Sequence, residues 1–117
     1  MYNVNMYKDA RGKCQVCQLI KQLDEDNSKQ AKGALKQIYY HIARIERKGT
    51  RAGENITKQL REDIWEIRPG KYRITYVIKG NEIILLTWFR KETQKTPNSE
   101  IEKAERVYKD WQNNHGQ

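Results

Sequence analysis

The sequence predicts an α+β fold with the element order β-α-α-β-β-β-α, in which a small, mainly antiparallel sheet is combined with helices. Between residues 63 and 97, three apolar segments alternate with a period of two residues and are separated by turn residues. Two segments before this region and one after it carry apolar residues at helical spacing. A chain of 117 residues is long enough for one hydrophobic core. We therefore expect a single domain over residues 1–117.

The sheet is predicted from the three alternating segments. We expect consecutive antiparallel strands at Ile64–Arg68, Tyr72–Lys79 and Glu82–Arg90. The dipeptides Pro69-Gly70 and Gly80-Asn81 lie between these segments and are typical of hairpin turns. These turns would place the three strands side by side.

The middle strand is predicted to have two different faces, because successive side chains alternate across a pleat. One face carries aromatic and aliphatic residues: Tyr72, Ile74, Tyr76 and Ile78. The other carries mainly cations: Lys71, Arg73, Thr75 and Lys79. We expect the first face to be core and the second to be a cationic surface.

Upstream of these strands, Tyr2–Tyr7 alternates and is predicted to be a first strand. Helices are predicted over about Cys14–Leu23 and over about Lys29–Lys48, where Gly49 is placed to end the second helix. Residues 50–61 are polar and are expected to be irregular. The long second helix would cover the core face of the sheet.

A third helix is predicted after the strands. Thr96 would be its N-cap and Pro97 its first helical residue, and Ser99 with Glu102 offers a capping box. We expect the tail Gln112–Gln117 to fray. Its apolar stripe has spacings of three and four residues: Ile101, Ala104, Val107, Tyr108 and Trp111. The sequence leaves open whether this stripe packs on its own sheet or partly on a partner.

The composition favours an acidic partner. The formal net charge is +8 and the pI is about 9.5, which is typical of proteins that bind nucleic acid or an acidic protein. No segment approaches the roughly 20 apolar residues of a membrane span. The N-terminus lacks the apolar core of a signal peptide, and we expect a cytoplasmic protein that does not bind membranes.

Cysteine and histidine residues give little indication of a metal or a cofactor, and we predict neither. Cys14 and Cys17 form a lone CxxC without a second pair, and His41 and His115 are the two histidines of the chain. We expect two reduced thiols on a helix. His41 lies in the middle of the second helix, where we expect it to pack rather than to catalyse.

The positive charge is concentrated near the three strands. Between positions 68 and 95 there are seven cations and two acidic residues, a surplus of five. The seven cations are Arg68, Lys71, Arg73, Lys79, Arg90, Lys91 and Lys95. Holding like charges together costs stability, and phosphate binding would compensate for it. An acidic protein partner would neutralise the same surface equally well.

If this cluster cleaves RNA, a ribose 2′-hydroxyl attacks the adjacent phosphate, which requires a base, an acid and stabilisation of the developing charge. Arg68 and Arg73 are the candidates for charge stabilisation, and Lys91 is the candidate for proton transfer. Tyr72 or Tyr76 could stack on a base, although their face is predicted to be core. Three further cations are candidates for binding RNA: Lys71, Arg90 and Lys95.

The strand region also resembles a known family. The resemblance is carried by IWEIRPGKYRITYVIKGNEIILLTWFRKETQKTP, followed by SEIEKAER at the start of the third helix. WEIR and FRKETQKTP are its most specific parts, and the similarity extends over nearly the whole chain. The chain is similar to the phage-derived Gp49-like branch of the RelE/ParE superfamily, the HigB-type toxins of type II toxin-antitoxin systems.

The resemblance implies a RelE-like fold, with a small curved sheet, two N-terminal helices packed on it and a C-terminal helix. It implies cleavage of mRNA on the ribosome with contacts to ribosomal RNA, and neutralisation by a HigA-like helix-turn-helix antitoxin. The family's arginines match Arg68 and Arg73, and its lysines match Lys91 and Lys95. The resemblance also includes the ParE branch, which inhibits DNA gyrase without enzymatic activity. A third alternative is a module that only binds an acidic antitoxin segment.

The sequence departs from the family pattern at two places. Relatives commonly have His-Gly where this chain has Thr87-Trp88, and a second lysine where it has Glu92. The first departure removes an imidazole before Phe89, and the second lowers the local positive charge. Trp88 points to the face opposite Phe89 and is expected to be core.

Overall fold

Over residues 1–115, which the computed structural model describes, the chain forms three α-helices, a short 3₁₀ helix and five strands. The strands are β1 (Asn3–Met6), β2 (Thr57–Arg61), β3 (Ile64–Ile67), β4 (Tyr72–Lys79) and β5 (Glu82–Arg90). The helices are α1 (Gln15–Glu25), α2 (Lys29–Lys48) and α3 (Asn98–Asn114), and the 3₁₀ helix is Gly49–Arg51. Gly116 and Gln117, part of the predicted frayed tail, lie outside the described residues.

The strands form one sheet in the order β1-β5-β4-β3-β2. β1 pairs with β5 in parallel, and the other neighbours are antiparallel. The predicted hairpin turns are confirmed, with Gly70 and Gly80 at φ of 58° and 59°, a conformation that glycine adopts without strain. The α+β class and the mainly antiparallel sheet are therefore confirmed.

The prediction of an irregular segment over residues 50–61 was wrong for its second half. Thr57–Arg61 forms the edge strand β2, paired antiparallel with β3. Only one side of this strand meets the core, where Thr57 is buried and its Oγ1 donates to the backbone oxygen of Glu66 at 2.8 Å. Lys58 and Gln59 are exposed. An edge strand of this kind needs few apolar residues, which is why its sequence resembled a loop.

Helices α1 and α2 pack on one face of the sheet. The sheet residues in this cluster are fully or almost fully buried: Ile67, Ile74, Tyr76, Ile83 and Leu85. Tyr76 contacts Thr57 through their hydroxyl groups at 2.6 Å, and burial raises the pKa of Tyr76 to about 12. The core position of Tyr76 is confirmed. Tyr72 and Trp88 are half-buried and pack edge to face at the rim of this core.

His41 lies on the buried face of α2, as predicted. Its Nδ1 is 2.8 Å from the backbone oxygen of Gln37. Burial lowers the pKa of His41, the positive charge of Arg73 adds to this effect, and backbone hydrogen bonds with Gln37 and Asn55 oppose it. This imidazole therefore belongs to the packing of α2.

Helix α3 packs on the opposite face of the sheet. Its Ala104 and Trp111 are buried in a second cluster with four sheet residues, Ile64, Val77, Ile84 and Leu86. The apolar stripe of α3 thus packs on its own sheet. The prediction of a cationic face on β4 was wrong for its central part, because α3 covers Val77 and because Thr75 and Arg73 are also buried. The exposed cations of this face, Lys71 and Lys79, flank the covered part.

The two cysteines differ from the prediction of reduced thiols. Cys14 and Cys17 are joined by a disulfide, with Cα atoms 5.2 Å apart. Cys14 is the N-cap of α1 and its Sγ accepts a hydrogen bond from the backbone N–H of Cys17 at 3.1 Å. One helical turn brings residues three apart to the separation that a disulfide requires, which explains the bond.

The ends of α2 agree with the prediction. Ser28 caps the helix through Oγ, which accepts from the N–H of Ala31 at 3.1 Å, and Gly49 ends it at φ of 57°. A side chain at position 49 would meet the ring of Tyr2, since a Cβ there would lie 2.9 Å from Tyr2 Cε2. Glycine is therefore required at this position for two reasons.

The predicted start of α3 was wrong by one residue. Pro97, not Thr96, is the N-cap, and no side-chain cap bond forms, so the capping box of Ser99 and Glu102 is not present in the described structure. The Thr96 hydroxyl is used elsewhere, in a bond to Glu66. At the other end, residues 112–114 are helical rather than frayed. Over residues 1–115, no helix combines the length and apolar character needed to cross a membrane.

Candidate functional site

A cleft of about 230 Å³ lies where β5 ends, between the segment that follows it and the start of α3. Its walls carry four of the predicted cations: Arg73, Arg90, Lys91 and Lys95. Arg73 belongs to β4 and is paired directly with Phe89 of β5, which also lines the cleft. Strand pairing therefore brings Arg73 next to residues that follow it by almost twenty positions in the sequence. We call this site the basic cleft.

A β-bulge directs the end of β5 toward the basic cleft. Between the pairs Ile74–Trp88 and Tyr76–Leu85, two residues of β5 face the single residue Thr75 of β4. The hydroxyl of Thr75 compensates for the disrupted pairing: its Oγ1 accepts from the N–H of Thr87 at 3.1 Å and lies 2.6 Å from Thr87 Oγ1. Bulges bend a strand and reorient the side chains that follow. Thr87 therefore has a structural role under the site, where it is fully buried.

Arg73 is held firmly in the wall of the basic cleft. It is only 6% exposed, and its Nη1 donates to the backbone oxygens of Gly70 at 2.9 Å and Tyr72 at 2.8 Å. Burial lowers the pKa of Arg73, the Arg68 charge lowers it further, and the Glu66 carboxylate opposes both. An arginine stays protonated despite such shifts. A fixed, partly desolvated guanidinium is well suited to binding a phosphate.

Below the basic cleft lies a buried carboxylate that the sequence analysis missed. Glu66 is 1% exposed; its Oε2 is 3.7 Å from Arg68 Nε, and its Oε1 accepts from Thr96 Oγ1 at 2.8 Å. The alternation of side chains along β3 could have indicated which face of the sheet Glu66 occupies. Glu66 lies between Trp65 and Ile67 of the apolar core face and points to the face of Thr75, its partner on β4.

A second carboxylate, also missed, lines the basic cleft. Glu100 is the third residue of α3, where a glutamate normally accepts from the backbone N–H of the N-cap. The N-cap here is Pro97, which has no N–H. Within the described part of the chain, Glu100 Oε1 is buried and has no hydrogen-bond partner. Glu100, with its unpaired carboxylate oxygen, therefore lines a cleft that Arg73, Arg90, Lys91 and Lys95 also line.

The structure brings most, but not all, of the predicted site residues together. Arg68 lies beside the basic cleft, connected through Glu66 to Thr96, which lines it. Lys71 instead lines a separate depression between the β3–β4 turn and α2. Its link to the basic cleft is through the backbone, where the oxygen of Lys71 accepts from the N–H of Lys91 at 2.7 Å. Over residues 1–115, no three metal-binding side chains are grouped together.

The fold and the site define a class: an α+β domain with a basic cleft at the end of its last strand, the fold of the RelE type. Solved structures of Staphylococcus aureus YoeB share it. The YoeB–YefM complex superposes with a TM-score of 0.56 at 16% identity, covering 80% of this chain and 99% of that chain. The YoeB dimer superposes with a TM-score of 0.56 at 17% identity, covering 79% of this chain and 98% of that chain. The heterotetrameric YoeB–YefM complex superposes with a TM-score of 0.55 at 15% identity, covering 80% of this chain and 99% of that chain.

The family follows from the sequence itself. Residues 19–109 match the family described as Phage derived protein Gp49-like (DUF891), and the chain belongs to this family. The resemblance to the Gp49-like family is thus confirmed by the sequence, and the shared fold agrees with it. No curated protein sequence matches the chain.

Proposed function

We propose that this protein is the toxin of a type II toxin-antitoxin system and acts as an endoribonuclease that cleaves mRNA on the ribosome. The observation that carries the proposal is the basic cleft, in which the buried Arg73 lies beside Lys91 and Lys95. Membership of the Gp49-like family and the fold shared with YoeB support a toxin of the RelE type. The site of action would be the cytoplasm, where ribosomes translate.

The basic cleft contains groups for each step of cleavage by a 2′-hydroxyl. Arg73 binds the scissile phosphate through the donors that its carbonyl contacts leave free, and Arg68 adds positive charge from behind. The Glu100 carboxylate accepts the proton of the attacking 2′-hydroxyl, and Lys91 donates a proton to the leaving 5′-oxygen. Lys95 and Arg90 bind flanking phosphates, and Lys71 contributes from outside the cleft.

The products follow from this arrangement. A bond forms between the 2′-oxygen and phosphorus, and the bond from phosphorus to the 5′-oxygen breaks. One strand then ends in a 2′,3′-cyclic phosphate and the other in a 5′-hydroxyl. The carboxylate gains one proton and the ammonium loses one, so the reaction needs no metal ion and no cofactor.

The proposed partner is an antitoxin that neutralises the positive charge. The solved structures that share the fold include complexes of YoeB with YefM, which supports a partner of this kind. An acidic antitoxin segment would be attracted to the basic cleft. A helix-turn-helix antitoxin of the HigA type is our proposal for its fold.

The test is to express the protein and map 5′-ends on translated mRNA. We expect cleavage within reading frames, and its loss in the double variant Arg73→Ala with Lys91→Ala. Lys79→Ala is the matched control, because Lys79 is an exposed cation at the far end of β4. Intact mRNA in arrested cells would contradict the proposal, as would full cleavage by the double variant. Broken chromosomal DNA with intact mRNA would instead indicate a gyrase inhibitor.

A further inference from the structure

We propose that Glu66 is a positioning residue: through Thr96 it holds the segment that carries Lys91 and Lys95 in place against Arg68 and Arg73. This inference rests on the proposed function, since it concerns the alignment of that site. It assigns a role to a buried carboxylate that does not itself line the basic cleft.

The two carboxylate oxygens of Glu66 have different partners on different parts of the chain. Oε2 faces Arg68 on its own side of the sheet, with 3.7 Å to Nε. Oε1 accepts the Thr96 hydroxyl at 2.8 Å, thirty residues further along the chain. A carboxylate buried in this way is expensive unless its partners are in place. Glu66 therefore favours the arrangement in which the sheet and the 91–97 segment are correctly aligned.

The segment 91–97 needs such a connection because it has no regular secondary structure. Lys91 is held at its start by the backbone bond to Lys71, and the Thr93 hydroxyl bonds within the segment, to the oxygen of Lys95 at 2.7 Å. Among the hydrogen bonds of residues 1–115, Thr96 to Glu66 is the one that ties a side chain of this segment to the sheet. A threonine one residue before the N-cap is thus used for the site rather than for capping α3.

The charge of Glu66 also suits this role. The positive charge of Arg68 acts on Arg73 and lowers its pKa, and Arg73 is almost fully buried. A negative charge between two such cations reduces their repulsion in the free protein. The same buried group therefore stabilises the two arginines and orients the two lysines.

The main test replaces Thr96, which leaves every charge in place. Thr96→Val removes the hydroxyl at nearly constant volume, Thr96→Ser restores it, and Thr93→Val is a control in the same segment. In ribosome-dependent cleavage of mRNA we expect Thr96→Val to lower kcat by about tenfold, the effect of one hydrogen bond to a charged acceptor. Thr96→Ser should stay within about threefold of the wild type. Equal losses in Thr96→Val and Thr93→Val would overturn the inference.

A double-mutant cycle separates positioning from general destabilisation. If Thr96 acts by placing Lys91, the loss caused by Thr96→Val should shrink to less than about threefold in a Lys91→Ala background. A purely structural role would give the same loss in both backgrounds, and that result would contradict the inference.

A second readout does not depend on activity. Amide hydrogen exchange of Lys91, whose N–H donates to the oxygen of Lys71, should be about tenfold faster in Thr96→Val than in the wild type, and Thr96→Ser should restore protection. If the wild-type protein cleaves no RNA, the proposed function fails, and the exchange measurement still decides the inference. Unchanged exchange in Thr96→Val would overturn it.

Discussion

Glu100 illustrates how a single backbone feature can leave a side chain without its usual partner at a candidate site. Pro97 removes the N–H with which a glutamate at this position of a helix would bond, and the carboxylate turns to the basic cleft instead. The favourable interaction of an acid with the helix dipole remains and offsets part of the cost of leaving this oxygen without a partner. Arg73 shows the opposite case, a side chain fixed by two backbone oxygens before any ligand binds.

Replacing Glu100 by glutamine should therefore affect chemistry more than folding. We expect Glu100→Gln to lower the rate of mRNA cleavage by about 100-fold, a typical contribution of a general base. Glu102→Gln is the matched control, since Glu102 is an exposed residue of the same helix. Cleavage rates under single-turnover conditions measure the effect. Equal rates for the wild type and Glu100→Gln would remove Glu100 from the mechanism.

His41 should make stability depend on pH. Its pKa is about 6.5 in the unfolded chain and lower in the folded protein because of burial, so the unfolded state binds the proton first as the pH falls. The contribution of neutral His41 to the free energy of unfolding is complete above about pH 6.5 and is lost as the pH decreases through the folded pKa. Urea unfolding between pH 7.5 and about pH 5 measures this loss. A His41→Gln variant should lose less stability over this range; an identical loss would contradict the assignment.

At the scale of elements, a hydrogen bond outside the sheet connects the end of β1 to α3. Tyr7, which follows β1, reaches α3 through a hydrogen bond from its hydroxyl to Asp110 Oδ2. Burial raises the pKa of Tyr7 to about 12, and the bond to Asp110 and its charge add to the shift. This bond connects the first and last parts of the chain, which are 103 residues apart.

Removing this hydroxyl should weaken the packing of α3. We expect Tyr7→Phe to lower the free energy of unfolding by about 1 kcal/mol, the net value of one such hydrogen bond. Tyr39→Phe serves as the control, because Tyr39 is an exposed tyrosine of α2. Chemical denaturation of both variants measures the difference. Similar effects of the two changes would show that the bond contributes nothing specific.

Elements with a strong alternation or helical period could be predicted from the sequence with accurate limits. The limits of β4, β5 and α2 agree with the prediction to the residue. β2 was missed because an edge strand with one buried side carries few apolar residues. The start of α3 was misplaced because the Thr96 hydroxyl binds Glu66, a contact between distant segments that local capping rules do not include.

The sequence analysis named the cations of the candidate site but not its two acidic residues. Arg73, Lys91 and Lys95 stand out as charges near strand ends, and the structure brings them to one cleft. Glu66 and Glu100 were not singled out in the sequence, because their surroundings depend on how β3 and α3 are placed around the segment 91–97. The disulfide of Cys14 and Cys17 was missed for a different reason, since a lone CxxC is compatible with free thiols and with a bond.

For the whole molecule, the net charge of +8 determines how it meets a polyanion. Part of this charge lies outside the basic cleft, on exposed lysines of α2 such as Lys29 and Lys32. General attraction to RNA and specific phosphate contacts should therefore respond differently to substitution.

Salt dependence of binding can separate the two effects. For a 2′-O-methylated RNA oligonucleotide, which cannot be cleaved by this route, the logarithm of the binding constant should fall linearly with that of the salt concentration. Removing one cation that binds a phosphate should make this negative slope shallower by about 0.7. The double variant Lys91→Ala with Lys95→Ala should reduce the steepness of this slope more than the double variant Lys29→Ala with Lys32→Ala. Both double variants remove the same charge. Equal slopes for these two variants would contradict specific binding in the basic cleft.

The sheet separates two apolar clusters, one under α1 and α2 and one under α3. Within residues 1–115, Ile38 belongs to the first cluster and Trp111 to the second, so substitutions at these two positions should have additive effects on the free energy of unfolding. The half of the molecule that supports the candidate site can thus diverge in sequence without forcing compensating changes in the other half. Substitutions can therefore accumulate in one layer while the other layer preserves the fold.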